Sequence, residues 1–305
     1  MGSHHNHDHH HHHPSEFNKA FFIATLANSV FVVIQITYAL IANSNSLLAD
    51  GFHNLGDVLS LILAWIANSL IQRKPTQTAS YGFKKSSILA AFANGGLLIF
   101  TCGIIVTEAA YKFFTPEPIE TGIVLVVASI GILVNGATAL LFLKGQHDLN
   151  IRGAYLHLLY DALVSVGVVI AALLMMLTGW LWLDPLMGLL ITYVILKGTW
   201  ALFKDSLHLM MDAVPRHISL AQVKSLLESL PGVQQVHDVH IWALSTQENA
   251  LSAHLWMPKE TLSDQTRAAL IEQLKTEHHI QHVTIQVEKE LLYCEDSCTT
   301  HSSCS

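Results

Sequence analysis

Two pairs of ionisable residues share one spacing and each lies within an apolar stretch. His53 precedes Asp57 by four positions, and His157 precedes Asp161 by four. Residues at i and i+4 share one face of an α-helix, so each helix presents an imidazole beside a carboxylate. A charged side chain in mid-bilayer costs about 2.5–3.5 kcal/mol on insertion scales, so it needs a partner or a purpose.

The chemistry that this pattern favours is metal binding. If the two helices pack face to face, two nitrogens and two oxygens converge, which suits four-coordinate zinc. Imidazole binds a metal only when neutral, so metal binding would release protons. The movement of metal would then be coupled to a movement of protons in the opposite direction. The alternative is two His–Asp hydrogen bonds that join helices without an ion. A repeated pair in mid-span is costly for packing alone, which favours the metal.

Asp50 lies three residues before His53. It is predicted either to guide ions toward the pair or to cap the start of its helix.

Charge is scarce and unevenly distributed. The 305 residues are 51% hydrophobic and 13% charged, against about 25% charged in soluble domains. Residues 20–205 contain nine Lys/Arg and nine Asp/Glu, whereas residues 206–305 contain six and twelve. This pattern excludes an ordinary soluble enzyme, a nucleic-acid binder with a basic face and a disordered chain. It predicts a membrane domain followed by an acidic soluble domain.

Six apolar runs approach or exceed the roughly 20 residues that cross a bilayer. They are Ala20–Ala42, Ser46–Ile71, Ser86–Tyr111, Thr121–Leu143, Gly153–Thr178 and Leu183–Phe203. The His/Asp pairs fall in the second and fifth runs. The sequence therefore predicts an all-α, six-helix transporter domain in the lipid bilayer.

Basic residues gather in the connections on one side of these spans. They are Arg73, Lys74, Lys84, Lys85, Lys144 and Arg152. The opposite connections Asn43–Asn45 and Gly179–Trp182 have no Lys or Arg. The positive-inside rule predicts that both termini are cytoplasmic.

The last third predicts a small two-layer α+β domain. Ser219 and Ser263 are candidate caps of two helices, and three runs with near-alternating apolar residues predict strands, in the order helix–strand–strand–helix–strand. The predicted strands are Val233–Leu244, Ala250–Met257 and His282–Glu288. The predicted organisation is a His-rich, disordered N-terminus (1–15), a membrane domain (16–206), a cytoplasmic domain (207–290) and a Cys-containing tail (291–305). About eighty residues make a marginal core, which dimerisation or a bound metal would stabilise.

Four motifs resemble those of the cation diffusion facilitators, a family of zinc transporters. They are Leu47-Leu-Ala-Asp-Gly-Phe-His-Asn-Leu-Gly-Asp57, His157-x-x-x-Asp161, Val236-His-Asp-Val-His-Ile-Trp242 and Thr284-Ile-Gln-Val-Glu288. The resemblance covers about residues 15 to 290. It is nearest to the bacterial zinc-exporting branch and to the vesicular zinc transporters of animals.

This resemblance implies a homodimer that exchanges cytoplasmic Zn²⁺ for external protons by alternating access, in the inner membrane of a bacterium. It assigns His53, Asp57, His157 and Asp161 to the transport site. It also implies a ferredoxin-like, metallochaperone-like fold for the cytoplasmic domain. Lys85 and Asp212 match a salt bridge at the membrane surface of some dimers, although by residue type they could equally be solvated charges.

The resemblance further implies a cytoplasmic zinc site with His237, His254 and Glu288 as ligands. Gln286 stands where some members have a ligating His, and residues 72–85 contain no His or Asp. These departures argue against a two-metal cytoplasmic site, and the sequence leaves the number of cytoplasmic zinc ions open. His240, beside Ile241 and Trp242, is predicted to pack in the core.

Both ends of the chain contain further candidate ligands. Cys294 and Cys298, with His301 and Cys304, could capture zinc, but C-x3-C is not a standard finger spacing and a mobile tail is the alternative. Eight histidines lie within residues 4–13 and are either a zinc-gathering segment or an affinity tag.

Two other functions use the same His/Asp set. An intramembrane metal-dependent hydrolase is disfavoured because HExxH is absent and no spare carboxylate stands beside a histidine as general base. A metal sensor would not need six spans. The sequence does not decide among zinc, cadmium, cobalt, iron and manganese.

Overall fold

A computed structural model describes residues 14–143 and 149–290 of the chain. Six of its helices are long and apolar enough to cross a membrane. They are α1 (Pro14–Ala42), α2 (Asn45–Ile71), α3 (Ser86–Phe114), α4 (Thr121–Leu141), α5 (Leu149–Thr178) and α6 (Leu183–Met210). The six-helix membrane fold that the apolar runs predict is confirmed.

Several helices extend beyond the apolar runs. At 1.5 Å per residue, the 30 residues of α5 span about 45 Å, more than the roughly 30 Å of hydrocarbon. Hydropathy marks only the part of a helix in lipid, whereas backbone hydrogen bonds continue into the polar interface. The predicted spans are therefore shorter than the helices at α3, α5 and α6.

The chain divides into two compact units, and the first comprises residues up to 61 together with 96–199. Within it, α4 packs against α1 and α5. Small residues permit this close packing, as is usual between membrane helices. At Gly131 a Cβ atom would stand 3.0 Å from the Phe31 ring and 3.1 Å from the Ser165 hydroxyl, so a larger residue would separate α4 from its neighbours.

The second unit comprises residues 62–95 and 200 onward. Its C-terminal part consists of α7 (Leu220–Glu228), β1 (Gln235–Ala243), β2 (Asn249–Trp256), α8 (Asp264–Glu277) and β3 (Ile280–Glu288). Central strand β2 pairs antiparallel with β1 and parallel with β3. Helices α7 and α8 pack on this sheet around a buried apolar core. The predicted α+β fold is confirmed.

Both predicted helix caps are present. The Ser219 hydroxyl accepts a hydrogen bond from the Gln222 amide, and the Ser263 hydroxyl accepts one from the Thr266 amide at 3.1 Å. Each bond satisfies one of the amides that a helix leaves unpaired in its first turn.

The connection between α2 and α3 contacts the β1–β2 turn. Lys84 donates to the Glu248 carboxylate, and its Nζ lies 3.1 Å from His282 Nε2 on β3. The Thr246 amide donates to Ser87 Oγ at 3.1 Å. This contact lies outside the spans, and the hydrogen bond from Lys84 lowers the pKa of Glu248.

Lys85 Nζ lies 2.6 Å from Asp212 Oδ1 within one chain. Both side chains are at least half exposed. Exposed pairs stabilise a fold by about 0–1 kcal/mol, so this one contributes little to the single chain.

Candidate metal centres

The first candidate centre lies between α2 and α5, with each histidine nearest the carboxylate of the other helix. His53 Nε2 lies 3.4 Å from Asp161 Oδ1, and His157 Nε2 lies 3.2 Å from Asp57 Oδ2. The distances within each helix are longer, 4.0 Å for His53–Asp57 and 3.6 Å for His157–Asp161. The two predicted pairs are thus brought together as one cluster.

The separations of the donor atoms suit a small divalent cation. Donor atoms of Asp57, His157 and Asp161 all lie within 4.8 Å of one another. Bonds of about 2.0–2.2 Å in a tetrahedron separate neighbouring ligand atoms by about 3.3–3.6 Å, close to these contacts. His53 stands at the edge of this trio, within reach of Asp161. Two neutral imidazoles and two carboxylates can therefore surround a dication and neutralise its charge.

Access to the cluster is one-sided. A cavity of about 380 Å³ reaches Asp57 and His157. Its walls include Ser60 beyond Asp57 on α2, Phe142 after α4 and Gly153 near the start of α5. These residues lie toward the end of the helices with the basic connections. The His157 side chain is 46% exposed and the Asp161 side chain 4%, so the cluster is open at one side and closed at the other.

Asp50 belongs to a buried hydrogen-bond network next to the cluster. It is fully buried and accepts bonds from Gln35 Nε2 at 2.6 Å and Ser165 Oγ at 3.2 Å. Asn54 Nδ2, beside the cavity, donates to Gln35 Oε1 at 3.0 Å. The helix-capping interpretation of Asp50 is wrong, because α2 begins at Asn45, more than one turn earlier. Its role in guiding ions remains a prediction.

The second candidate centre lies on the three-stranded sheet. His237 of β1 is opposite His254 of β2, while Glu288 of β3 is opposite Trp256, two residues beyond His254. Side chains two residues apart share a face of a sheet, so the three predicted ligands converge. Glu288 Oε2 lies 3.1 Å from His237 Nε2, and Glu288 Oε1 lies 3.0 Å from His254 Nδ1.

These three residues fit a metal ion. His237 Nδ1 is buried without a hydrogen-bond partner among the described residues, and the buried His237 Nε2 and Glu288 Oε2, although 3.1 Å apart, form no hydrogen bond. Unpaired buried polar atoms are rare and costly in folded proteins. A cation bound by these donors would satisfy His237 and Glu288 together.

Gln286, which stands where a further ligand could be expected, contacts the Glu288 carboxylate. Its Nε2 donates to Glu288 Oε1 at 2.8 Å. A hydrogen bond from a neighbouring side chain orients a ligating carboxylate, as commonly occurs around metal sites.

A bulge in β1 places a residue that the sequence reasoning missed. The register shifts between His237 and His240, with Asp238 at φ 49°. Asp238 Oδ1 lies 2.8 Å from His240 Nε2, and Oδ2 lies 3.5 Å from His254 Nε2. The hydrogen bond with His240 lowers the pKa of Asp238. The sequence feature that could have identified Asp238 is its position inside the His-Asp-Val-His motif.

The prediction for His240 is wrong. Its side chain is 65% exposed, because the bulge interrupts the alternation that would direct it into the core. Cys294, Cys298 and the histidines of residues 4–13 lie outside the described residues.

The chain matches two family descriptions. It matches the cation efflux transmembrane domain over residues 21–211 and the cation efflux protein cytoplasmic domain over residues 215–290.

Relatives match along nearly the whole chain. The cadmium, cobalt and zinc/H(+)-K(+) antiporter of Bacillus subtilis (strain 168) is 35% identical over 295 residues, 95% of this chain and 93% of the relative. The metal cation efflux system protein CzcD of Cupriavidus metallidurans is 32% identical over 299 residues, 97% and 93% of the two chains. Zinc transporter ZitB of Escherichia coli (strain K12) is 32% identical over 265 residues, 85% and 83%.

One solved structure also matches, the metal-bound C-terminal domain of the CzcD transporter from Cupriavidus metallidurans. It is 34% identical in sequence, and the match covers 23% of this chain and 99% of that chain, with a TM-score of 0.21. Neither family match supports the hydrolase or sensor alternative. With both domains matched in order along one chain, this multi-pass membrane protein belongs to the cation efflux, or cation diffusion facilitator, family of metal cation transporters.

Proposed function

We propose that the protein exports Zn²⁺ from the cytoplasm in exchange for protons, by alternating access, as a homodimer in the inner membrane of a bacterium with both termini cytoplasmic. The observation that carries this proposal is the cluster of His53, Asp57, His157 and Asp161 beside a cavity that opens toward the basic connections. Names of relatives that include zinc transport and proton exchange support it.

Charge balance explains the coupling to protons. Zn²⁺ with two ionised carboxylates and two neutral imidazoles has no net charge. After the metal leaves, a low-dielectric site with two carboxylates is stabilised by protons on the imidazoles. Protons therefore take the place of the metal in the return step, and metal and protons move in opposite directions.

The donor set favours zinc over softer ions. The cluster offers imidazole nitrogen and carboxylate oxygen but no sulfur, and cadmium prefers soft thiolate ligands more than zinc does. We expect cobalt and cadmium as slower substrates, in line with the metals named for the Bacillus relative.

The cytoplasmic centre is proposed to regulate rather than to transport. His237, His254 and Glu288 would hold one zinc ion, which when bound would link three strands of one sheet. We propose that this zinc tightens the pairing of two cytoplasmic domains and so biases the membrane halves of the dimer. The unpaired donors of His237 and Glu288 support a bound cation.

The test is zinc flux in proteoliposomes containing a zinc-sensitive dye. Zinc is added on the side of the C-terminal domain, with the lumen acidic or at equal pH. We expect the acidic lumen to accelerate zinc entry and a proton ionophore to cancel the acceleration. Equal zinc entry with and without the gradient contradicts proton exchange and indicates a channel or uniporter.

A further inference from the structure

The far end of the helical domain, opposite the cavity, contains a buried polar cluster that the transport site does not use. We call it the outer clasp: residues Asn43–Ser46 at the start of α2 together with Lys112, Glu117 and Asp184. Asp184 lies in the first turn of α6 and is fully buried. Its carboxylate accepts four hydrogen bonds, from the Ser44 and Ser46 hydroxyls at 2.5 Å and from the Asn45 and Ser46 amides at 2.5 and 3.2 Å.

The end of α3 and the loop that follows it are also hydrogen-bonded to the short turn Asn43–Asn45 before and at the start of α2. Lys112 is 5% exposed and donates to the Asn43 carbonyl at 2.8 Å and to Asn45 Oδ1 at 2.7 Å. Asn43 Nδ2 in turn donates to Glu117 at 2.8 Å. The beginning of α2 is thus bonded to α3, to the α3–α4 loop and to α6.

A cap by Ser44 alone does not account for these contacts. Ser44, directly before α2, already accepts a hydrogen bond from the Leu47 amide at 3.2 Å, as an N-cap does. The Asp184 and Lys112 bonds come from other helices and add to that cap. They therefore hold α2 in place against its neighbours.

The outer clasp closes the side of the metal cluster opposite the cavity. Every residue of α2 from position 45 to 50 is buried, whereas the cavity reaches the cluster from the other end of the same helix. An ion that leaves at the outer end must pass this closed segment, so the contacts that bind α2 there must part. Because they are polar, water can replace them when they do.

We propose that the outer clasp is the outer gate of the transporter, with Asp184 as its central residue. It holds the start of α2 against α3 and α6 while the metal cluster faces the cavity, and it opens when the cluster faces outward. This inference rests on the alternating access proposed above.

The experiment measures, in the absence of zinc, how readily a reagent on the outer side reaches the region of the metal cluster. The reporter is Ser165→Cys, at a fully buried position one turn from Asp161, in a chain whose four native cysteines have been replaced by Ser. A membrane-impermeant maleimide is applied to the outer face of right-side-out vesicles. We expect Asp184→Asn to raise the labelling rate of the introduced thiol at least fivefold, because the amide accepts fewer hydrogen bonds. The matched control is Glu120→Gln, an exposed carboxylate at the same end of the helices.

A milder variant keeps the test decisive if Asp184→Asn does not fold. Ser46→Ala removes one of the four hydrogen bonds and leaves the backbone amide bonded, and we expect about a twofold increase in labelling. Labelling of both variants at the rate of the control overturns the proposal. Since no zinc is present, a failure of zinc/proton exchange in the flux assay would leave this result standing, and the two proposals can fail separately.

Discussion

The two metal centres are built from the same residue types, but their surroundings differ. In the membrane centre two helices contribute two donors each, and the exposed fraction of the side chains runs from 4% at Asp161 to 46% at His157. In the cytoplasmic centre three strands contribute one donor each, and the exposed fraction of the side chains is 12% at His237, 27% at His254 and 4% at Glu288.

This difference is the structural basis for proposing that metal passes through the membrane centre and is retained at the cytoplasmic centre. Helices that meet only through side chains can slide or tilt, so the shell between α2 and α5 can open on either side. Strands joined by backbone hydrogen bonds fix their register, so the donors on β1, β2 and β3 keep their spacing. The comparison predicts that loss of a membrane ligand impairs transport, and that loss of a cytoplasmic ligand impairs stability and regulation.

The largest expected effect follows Asp161→Asn. Asp161 contacts both His53 and His157, and its loss leaves a bound dication with excess positive charge in low dielectric. We expect zinc flux in proteoliposomes to fall by more than the roughly 10–100-fold that loss of an outer-shell partner costs. Glu120→Gln is the charge-matched control. Zinc flux near the wild-type rate in a normally folded Asp161→Asn variant refutes the assignment of this cluster as the transport site.

The second effect follows Glu288→Gln, which removes the carboxylate that joins His237 and His254. Zinc at 100 times its dissociation constant stabilises a folded domain by about 2.7 kcal/mol. We expect zinc to raise the melting temperature of the wild-type chain in calorimetry more than that of Glu288→Gln, in which the membrane centre alone still binds zinc, while basal flux continues. Glu272→Gln, on the exposed side of α8, is the control. Abolished flux in Glu288→Gln would break the proposed division between the centres.

A smaller effect follows Gln286→Ala. The variant frees Glu288 Oε1 from its 2.8 Å hydrogen bond and leaves the three ligands in place. We expect zinc to bind the cytoplasmic centre about tenfold more weakly, at the low end for outer-shell residues. The comparison variant is Gln273→Ala, whose side chain donates to Glu277 one turn later on α8. Equal affinities in titration calorimetry would show that Gln286 does not orient the carboxylate.

Local patterns predicted the helices and strands well, because these depend on sequence neighbours. Apolar runs indicated six helices, and the spacing of His53 and Asp57 indicated a shared face. The pairing of each histidine with the carboxylate of the other helix depends on how α2 and α5 pack, which no local pattern contains.

The wrong and missed residues have the same cause. His240 is exposed because a bulge shifts the register of β1, and a strand pattern alone does not reveal a bulge. The sequence allows Asp50 as a helix cap, but the carboxylate bonded to the start of α2 is Asp184, which is distant in sequence. Contacts of this kind become visible only in three dimensions.

The smallest expected effect concerns the contact between Lys84 and Glu248, which joins the α2–α3 connection to the sheet of the cytoplasmic centre. Lys84 lowers the pKa of Glu248 below its ordinary value of 4.5. A carboxyl with a lowered pKa in the folded chain stabilises the fold above its unfolded pKa, and this contribution is lost as pH falls through the folded pKa. Both side chains are partly exposed, so we expect Glu248→Gln to reduce stability by less than about 1 kcal/mol at pH 7.

Thermal unfolding of the full chain at several pH values tests this expectation. The melting temperature of Glu248→Gln should lie below that of the wild type at pH 7, and the gap should close as the medium is acidified below pH 4.5. Glu260→Gln, which retains the backbone carbonyl that Lys289 contacts, serves as a control at the same net charge. If the difference in melting temperature persists after acidification, the effect of Glu248 comes from hydrogen bonds that its neutral carboxyl group also makes. The connection to the sheet would then be insensitive to pH.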